Sequence, residues 1–494
     1  MTTYLGPILG FQGYDATTST WKLSAILVSD TTPGNLTTSA KAAASSSVKP
    51  TVLWTHGKKS VYRYDFSAEL RAKESKLTYE VAGQSYTVAL PAKGIAPRMF
   101  YASCNGFSSL KAMKSVNDKN AMWRHIRDEH KKQRHHLLLL GGDQIYADSM
   151  WETVPTMKEW NALTFAKGNA ASFTKQMATE LEDFYFNLYC ERWSQPEVAL
   201  MFAQIPTAMM WDDHDIIDGW GSYPADRQNC KVYQGMFSIA RKAFAVFQRH
   251  LPETTKTGSF GFGYTWAHQI GRLAILGLDM RSERTENMVM SQAHWASVYA
   301  WLSKLTDVDH LLVFSSIPVV YPGFDVVERL LGFVPGQQEL EDDLRDHWNS
   351  RPHKGERLRL IHRLMDLITD RKIRPTILSG DVHVAAVGVL ESSRATTHDG
   401  KSPSVNQLIS SAIVHPGPPA VMLYALRNLF ASVDEVDRGI TARMTEFPGT
   451  KVSFIGKRNF LALQPDEIPK GARIWANWFV EGEKNPYTKV IHPV

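Results

Sequence analysis

Three short segments, each rich in side chains that bind metal ions, directly follow apolar runs of the sequence. They are residues 141–148, 212–215 and 380–383, and the runs before them end at Leu140, Trp211 and Ser379. Apolar runs of this length are typical of buried β-strands. The open end of a buried strand is where α/β proteins bind ions and phosphate groups. Carboxylate, phenol and imidazole groups at three such ends therefore indicate a metal site.

These side chains suit the hydrolysis of a phosphate ester. That reaction needs a hydroxide-like nucleophile, cations that neutralise the phosphate oxygens, and a proton for the leaving oxygen. Two metal ions roughly 3.5–4 Å apart, bridged by one carboxylate, supply both the nucleophile and the neutralising positive charge. Asp143 is the candidate bridge, because it stands directly after a strand in a glycine-lined turn that lets ions approach closely.

The elements that must position these segments begin at Arg98. From there, apolar runs alternate with segments of helical periodicity, which is typical of a layered α/β domain. One helical stripe follows a cap at Ser291, and another runs through Leu358 and Ile361. The strands that we predict are residues 99–103, 136–140, 208–211, 272–278, 311–315 and 375–379.

Residues 1–97 are predicted to form a small all-β sandwich in front of this domain. Residues 61–70 alternate with period two, and residues 77–90 have the pattern of a hairpin. Residues 29–50, rich in Ser, Thr and Ala, are predicted to be a long flexible loop. A chain of 494 residues exceeds one ordinary core, and we divide it into residues 1–97, a catalytic domain 98–415 and a C-terminal extension 416–494 that packs on it.

Composition narrows the class of protein. With 44% apolar and 21% charged residues the chain is globular, and a formal charge of +5 without a dense basic stripe argues against nucleic acid as the main partner. The first residues show no signal peptide or twin-arginine pair, and no apolar stretch is long enough for a membrane span. Three scattered cysteines do not make a disulfide framework. We therefore expect a cytoplasmic protein.

Residues 98–415 resemble the catalytic domain of the PhoD-like phosphatases (alkaline phosphatase D), a branch of the calcineurin-like metallophosphoesterases. The matching segments, in order, are residues 100–105, 142–148, 211–215, 278–281 and 379–383. Cys104 stands where the broad superfamily has an Asp-x-His segment, and Asp381 replaces the first histidine of the last segment. Both departures are themselves similar to the PhoD-like branch. The resemblance implies a four-layer α/β/β/α domain behind the sandwich.

The resemblance also implies which residues hold two metal ions. It places one ion on Cys104, Asp143, Tyr146 and His383, and the second on Asp143, Asp213 and Asp381. Thiolate, phenolate and imidazole together suit iron, whereas an all-oxygen site suits a hard cation. We expect Fe3+ plus Ca2+, with Mn2+, Mg2+ and Zn2+ as alternatives.

Other residues are expected to act on the substrate. His214 resembles the family histidine that protonates the leaving group, and Asp215 or Asp218 could orient its ring. Just past another strand end, two arginines could hold phosphate oxygens as a fork. The candidate substrate contacts are Arg281, Arg284 and Asn105.

Most of these residues also have a structural interpretation. Asp143 could form a strand-end turn, Cys104 could fill the core, and Tyr146 could be a core aromatic. Asp213 and His214 could belong to a solvated loop, and Arg281 could pair with Asp279 or Glu283. Three further residues are interpreted as structural: Cys190, Cys230 and His415.

The sequence therefore predicts a binuclear metallohydrolase that cleaves phosphate mono- or diesters by in-line attack of a metal-bound hydroxide. Its partner is a small phosphorylated molecule, with nucleic acid only as a substrate, and the oligomeric state stays open. Two other functions remain as alternatives. One is a non-hydrolytic, haloperoxidase-like iron enzyme that needs peroxide or oxygen. The other is a catalytically silent metal-binding module.

Overall fold

The structure is a computed structural model that describes residues 1–40, 43–321, 348, 353–397, 400–429 and 433–494. Its strands are β1 (Thr3–Asp15), β2 (Thr20–Ser29), β3 (Leu36–Ala40), β4 (Ala43–Val48), β5 (Thr51–His56), β6 (Lys59–Glu69), β7 (Ser75–Val81), β8 (Gln84–Leu90), β9 (Met99–Ala102), β10 (Leu137–Gly141), β11 (Thr207–Met210), β12 (Trp266–Ile270), β13 (Leu273–Gly277), β14 (His310–Phe314), β15 (Arg374–Ser379), β16 (Ala385–Ser392), β17 (Ser404–Ser410), β18 (Val433–Asp437), β19 (Ile440–Thr445), β20 (Phe454–Ile455), β21 (Asn459–Pro465), β22 (Ile474–Val480) and β23 (Tyr487–Ile491). The six predicted strands correspond to β9, β10, β11, β13, β14 and β15 within two residues.

The α-helices of the described chain lie between β9 and β18. They are α1 (Leu110–Ser115), α2 (Ala121–Lys132), α3 (Met150–Thr153), α4 (Pro155–Asn161), α5 (Phe165–Ala170), α6 (Lys175–Trp193), α7 (Pro196–Gln204), α8 (Ala225–Gln228), α9 (Lys231–Phe247), α10 (Gln292–Leu302), α11 (Lys354–Arg371) and α12 (Ala420–Leu429). Ser291 caps α10 as predicted, its side chain accepting from the His294 amide. The predicted α/β class is confirmed. None of the helices that the structure describes has both the length and the apolar composition needed to cross a bilayer.

A ten-stranded sheet carries two of the three predicted metal-binding segments. Its order is β23-β22-β21-β9-β10-β11-β1-β2-β6-β5, with β9, β10 and β11 parallel. Strand β1 continues the sheet by pairing parallel to β11, with Gly10 opposite Thr207. Residues 5–11 are nearly all buried, so β1 is an interior strand. Such a strand lacks the period-two alternation of polar and apolar residues by which half-buried strands are predicted. Residues 1–97 thus contribute four strands to this sheet, and the proposed domain boundaries stay a prediction.

A four-stranded sheet, β4-β3-β7-β8, lies within the same N-terminal residues. The predicted long loop at residues 29–50 is wrong, because β3 and β4 fall inside it. The side chains of Leu36 and Thr38 are buried, and Thr38 lies opposite Tyr79 of β7. Short polar strands form where neighbouring strands offer pairing and burial, so their composition alone suggests a loop.

The third predicted segment ends a strand of a nine-stranded sheet. Its order is β12-β13-β14-β15-β17-β16-β19-β18, and β20 also pairs with β16. Alternate residues of β13, β14 and β15 face opposite sides: one set shares a core with the ten-stranded sheet, and the other packs with α10 and α11. Both faces are therefore covered, as is usual for parallel strands. The predicted four-layer order itself stays a prediction.

The two large sheets approach each other where β9 and β15 end. Gly380 follows β15, and a Cβ atom added there would lie 2.1 Å from the Ser103 hydroxyl oxygen, just past β9. The Ser103 hydroxyl also donates to the carbonyl of Ser410 at the end of β17. Only glycine at position 380 permits this approach, which brings the three metal-binding segments together.

Leu9 tests the place of β1 in the central sheet. Its side chain is fully buried, and its carbonyl accepts from the Thr207 hydroxyl at 2.7 Å. We expect Leu9→Ala to lower the free energy of unfolding by about 2–5 kcal/mol, because it leaves a cavity in a close-packed core. Val52→Ala is the control, since Val52 is 56% exposed. Equal denaturation midpoints for the two variants would contradict the described position of β1.

Candidate metal centre

The turn after β10 places Asp143 at the junction of the sheets. Asp143 adopts a left-handed φ of 53°, directly after Gly142 with a φ of 113°. A Cβ atom on Gly142 would lie 2.7 Å from the Cβ of Asp212. The absence of a side chain at position 142 therefore lets the turn after β10 pack directly against the turn after β11.

Asp215 fixes these two turns relative to each other. One of its carboxylate oxygens accepts from the amides of Gln144 and Ile145 at 3.0 and 3.2 Å, and the other accepts from the amide of Asp212 at 2.9 Å. Burial raises the pKa of Asp215 to about 7, although these hydrogen bonds act against the increase. Asp215 is thus a structural clamp, and the prediction that it orients His214 is wrong.

Three buried carboxylates meet beside this clamp. One oxygen each of Asp143, Asp212 and Asp213 lies within 4.8 Å of the other two, which is close enough to hold one metal ion. The Oδ1 atom of Asp143 is buried and has no hydrogen-bond partner among the described residues. Burial raises the pKa of Asp143 well above its usual range, and the charge of Asp212 raises it further. A bound cation would stabilise the charged form of Asp143 and so offset the effects of burial and of the Asp212 charge.

Cys104, just past β9, adds a sulfur to this group. Its Sγ atom lies 3.4 Å from Oδ2 of Asp143 and 2.9 Å from the Ser411 hydroxyl oxygen. Burial raises the pKa of the thiol well above its usual range, with further contributions from the charges of Asp143 and Asp381. The thiol therefore stays protonated unless a cation stabilises the thiolate.

The backbone around the predicted ligands is unusual. Cys104, Asp143, Asp381 and His383 all have φ between 51° and 70°, a region that residues other than glycine rarely adopt. Such conformations concentrate at functional sites, where the surrounding structure holds them in place. Side-chain contacts thus bring five of the six predicted ligands into one region: Cys104, Asp143, Tyr146, Asp213 and His383. Asp381 adjoins this region, two residues before His383.

Tyr146 and His383 close the other side of the site. The Tyr146 hydroxyl lies 3.2 Å from Nε2 of His383, and the His383 amide donates to the Ser411 hydroxyl. The ring of His415 stacks on His383 with centroids 3.8 Å apart, and on Tyr146 at 5.5 Å. His415 therefore belongs to the wall of the site, a role that the sequence did not show because no local pattern surrounds this residue.

His214 is held in place by a partner that the sequence analysis did not identify. Its Nδ1 atom lies 2.6 Å from Oδ2 of Asp148, and its ring stacks on Tyr146 with centroids 4.3 Å apart. Asp218 donates its amide to Oδ1 of Asp148 at 2.8 Å. One of its carboxylate oxygens lies within 4.8 Å of a ring nitrogen of His214 and an oxygen of Asp213. Burial lowers the pKa of His214, but the charges of Asp148 and Asp213 outweigh it, and the pKa is raised well above its usual range.

The two arginines predicted to grip phosphate are buried. Arg281 donates from Nε to Oδ1 of Asp212 at 2.5 Å and from Nη1 to the Trp220 carbonyl at 2.9 Å, and its Nη2 lies 3.4 Å from Oδ1 of Asp213. Nη2 of Arg284 lies 3.4 Å from Nδ1 of His353. Arg281 therefore acts as the counter-charge of the aspartate pair, and phosphate contact by either arginine stays a prediction.

Asn105 has a free donor beside the site. Its Oδ1 atom accepts from Nε1 of Trp123 at 2.9 Å and from Nη2 of Arg192 at 2.7 Å. Its Nδ2 atom is buried without a hydrogen-bond partner in the described part of the chain. Because a buried donor without a partner costs free energy, a ligand oxygen is its natural acceptor.

Replacing Arg281 tests whether this residue neutralises the buried aspartate pair or contacts the substrate. We expect Arg281→Met to lower the free energy of unfolding by about 3–5 kcal/mol, because it leaves a buried aspartate pair without its cation. Urea unfolding of the protein measures the change. Arg363→Met is the matched control, since Arg363 forms an exposed pair with Asp366 and should change little. A stable Arg281→Met protein with only an increased KM would contradict the structural role.

Comparison with known proteins identifies the family. A family model described as PhoD related phosphatase matches residues 76–338 and 333–435. The uncharacterized protein YGR266W of Saccharomyces cerevisiae is 28% identical over 451 residues, covering 74% of this chain and 64% of the relative, so the chain spans less than two thirds of that protein.

Two solved structures share the fold. The structure of PhoD has a TM-score of 0.59 at 13% identity, covering 99% of this chain and 90% of that one. A purple acid phosphatase from yellow lupin (Lupinus luteus) seeds has a TM-score of 0.51 at 10% identity, covering 98% of this chain and 74% of that one. The match of the family model over most of the chain shows that this protein belongs to the PhoD-related phosphatases.

Proposed function

We propose that the protein is a binuclear metallophosphoesterase that hydrolyses phosphate mono- or diesters. The observation that carries this proposal is the set of three buried aspartate oxygens within 4.8 Å, with the Cys104 sulfur 3.4 Å from the Asp143 carboxylate. Membership of a phosphatase family supports the same conclusion.

The donor atoms fit two dissimilar ions. The unpartnered oxygen of Asp143 and the thiol of Cys104 both gain from a nearby cation. One ion would be held by Cys104, Asp143, Tyr146 and His383, and the second by Asp143, Asp213 and Asp381. Sulfur, phenolate and imidazole suit Fe3+ in the first position, and oxygen ligands suit Ca2+, Mn2+ or Mg2+ in the second, with Zn2+ as a further option.

Asp213 is the better second-site ligand of the aspartate pair. Asp212 is neutralised by Arg281 at 2.5 Å. Oδ1 of Asp213 lies 3.4 Å from Nη2 of Arg281 and is buried without a hydrogen bond among the described residues. Arg281 therefore compensates the charge of Asp213 less fully than that of Asp212.

When bound, the ions would neutralise phosphate oxygens and lower the pKa of a water molecule. The residues of the chain supply the rest. His214 holds a proton on Nε2 for the leaving oxygen, while Asp148 accepts from Nδ1 and fixes the ring. Asn105 donates from Nδ2 to a phosphate oxygen. A metal site that only supported folding would have no use for a protonated imidazole held in this way, which favours hydrolysis over a silent module.

The metal content of the purified protein tests the ligand assignment. We expect iron together with a hard divalent ion, and a visible charge-transfer band from tyrosinate on ferric iron. Tyr146→Phe should abolish the band, because it removes the phenolate. Tyr101→Phe is the control, since Tyr101 is also buried at this junction but lies outside the assigned ligands. Zinc as the sole metal, or a band that survives in Tyr146→Phe, would contradict the assignment.

Chelation of both ions should abolish hydrolysis.

Leaving-group dependence tests the role of His214. His214→Ala should slow hydrolysis of esters with poor leaving groups by about a hundredfold or more, and of 4-nitrophenyl esters much less, because a good leaving group needs no proton. Asp148→Asn should give the same pattern more weakly. His362→Ala is the control, since His362 lies on α11, is partly exposed and pairs with Asp437 at 3.0 Å. A uniform loss across all leaving groups would remove His214 from the acid role.

A further inference from the structure

A cavity of about 430 Å³ opens beside the candidate metal centre. Its volume is in the range of small-molecule sites. Tyr146 and Asp148 line it, and both contact His214. Arg192 also lines it, and donates to the backbone and side-chain oxygens of Asn105 at 2.5 and 2.7 Å. The cavity and the candidate metal centre therefore share a wall.

Much of the remaining wall is apolar. The apolar side chains are Phe107, Leu110, Met113, Ile145 and Leu188. Leu110 is 56% exposed and begins α1, a six-residue helix with no buried residue. Ile145 belongs to the hydrophobic core, and Phe107 and Leu188 pack against that core. Apolar side chains that also line a cavity provide a contact surface for an apolar ligand.

The charged groups of the wall are either hydrogen-bonded or exposed. The guanidinium of Arg192 bonds to Asn105 and Asn120, and Asp148 pairs with His214. The side chains of Lys119, Glu152 and Glu191 are exposed to solvent. A charged ligand group would therefore compete with the hydrogen bonds of Arg192 and Asp148 or lie at the exposed rim, and its burial against the apolar wall would cost free energy.

We propose that this cavity binds the alcohol portion of the phosphate ester and selects esters whose alcohol is extended, apolar and uncharged. The inference rests on the proposed function, in which His214 protonates the leaving oxygen. Because Tyr146 and Asp148 contact His214 and also line the cavity, the alcohol attached to that oxygen has the cavity directly beside it.

Three esters with leaving groups of similar acidity test this selection in the metal-replete protein. They are phenyl phosphate, biphenyl-4-yl phosphate and 4-carboxyphenyl phosphate. We expect kcat/KM for the biphenyl-4-yl ester to exceed that for the phenyl ester by about tenfold, because the second ring is buried against the apolar wall. The carboxyphenyl ester should gain nothing over phenyl. Equal values for the phenyl and biphenyl-4-yl esters, or a preference for the carboxylate, would overturn the inference.

Variants of Leu110 show whether the wall causes the preference. Leu110→Glu should reduce the ratio of the two kcat/KM values to near one, whereas Leu110→Met should retain it. The matched control is Leu163→Glu, since Leu163 is 42% exposed and does not line the cavity. A ratio that persists in Leu110→Glu, or falls equally in the control, would overturn the inference.

Binding of the free alcohol separates this inference from the proposed function. Calorimetric titration with 4-phenylphenol needs no turnover, and we expect binding to the wild type that weakens in Leu110→Glu. If no ester is hydrolysed but the alcohol binds in this pattern, the proposed function fails and the apolar site stands. If the esters are hydrolysed without preference and the alcohol does not bind, the inference fails and the proposed function stands.

Discussion

Mutual repulsion among buried acids is the constraint on which the site depends. Asp143, Asp212, Asp213 and Cys104 are all nearly inaccessible to solvent, and Arg281 is the cation that the described structure places against the aspartate pair. Burial and neighbouring charges raise the pKa values of Asp143 and Cys104. An arrangement that gathers so many acids at the meeting point of two sheets favours either their protonation or the binding of cations, and the proposed metal ions would supply that positive charge.

The scaffold explains why the acids meet there. Strands β9, β10 and β11 run parallel in one sheet, and β15 runs in the other, so their carboxyl ends lie at one junction. Because Gly142 and Gly380 have no side chains, the turns can pack closely against each other. Asp215 then joins the turns after β10 and β11 by hydrogen bonds to three amides. The turns that carry the predicted ligands are therefore positioned by close backbone packing and by the side chain of Asp215.

The strands that lead to the site, the α/β class and the family could be predicted from the sequence, because apolar runs and motif order are local signals. It did not predict the pairing of β1 with β11, since a strand buried on both faces has no alternation. It also missed Asp148 as the partner of His214 and His415 as part of the site wall, because both contacts join positions far apart in the chain. The sequence left the burial of Arg281 undecided for the same reason, because its partner Asp212 is 69 residues away in the chain.

The most direct test of the shared Asp143 carboxylate is anomalous diffraction from crystals of the metal-replete protein, recorded on both sides of the iron absorption edge. We expect an iron peak within bonding distance of Cys104 Sγ and one oxygen of Asp143, and a second peak without iron signal on the other oxygen of Asp143. A map with no metal within bonding distance of Asp143, or with iron bound away from Cys104, would contradict this expectation.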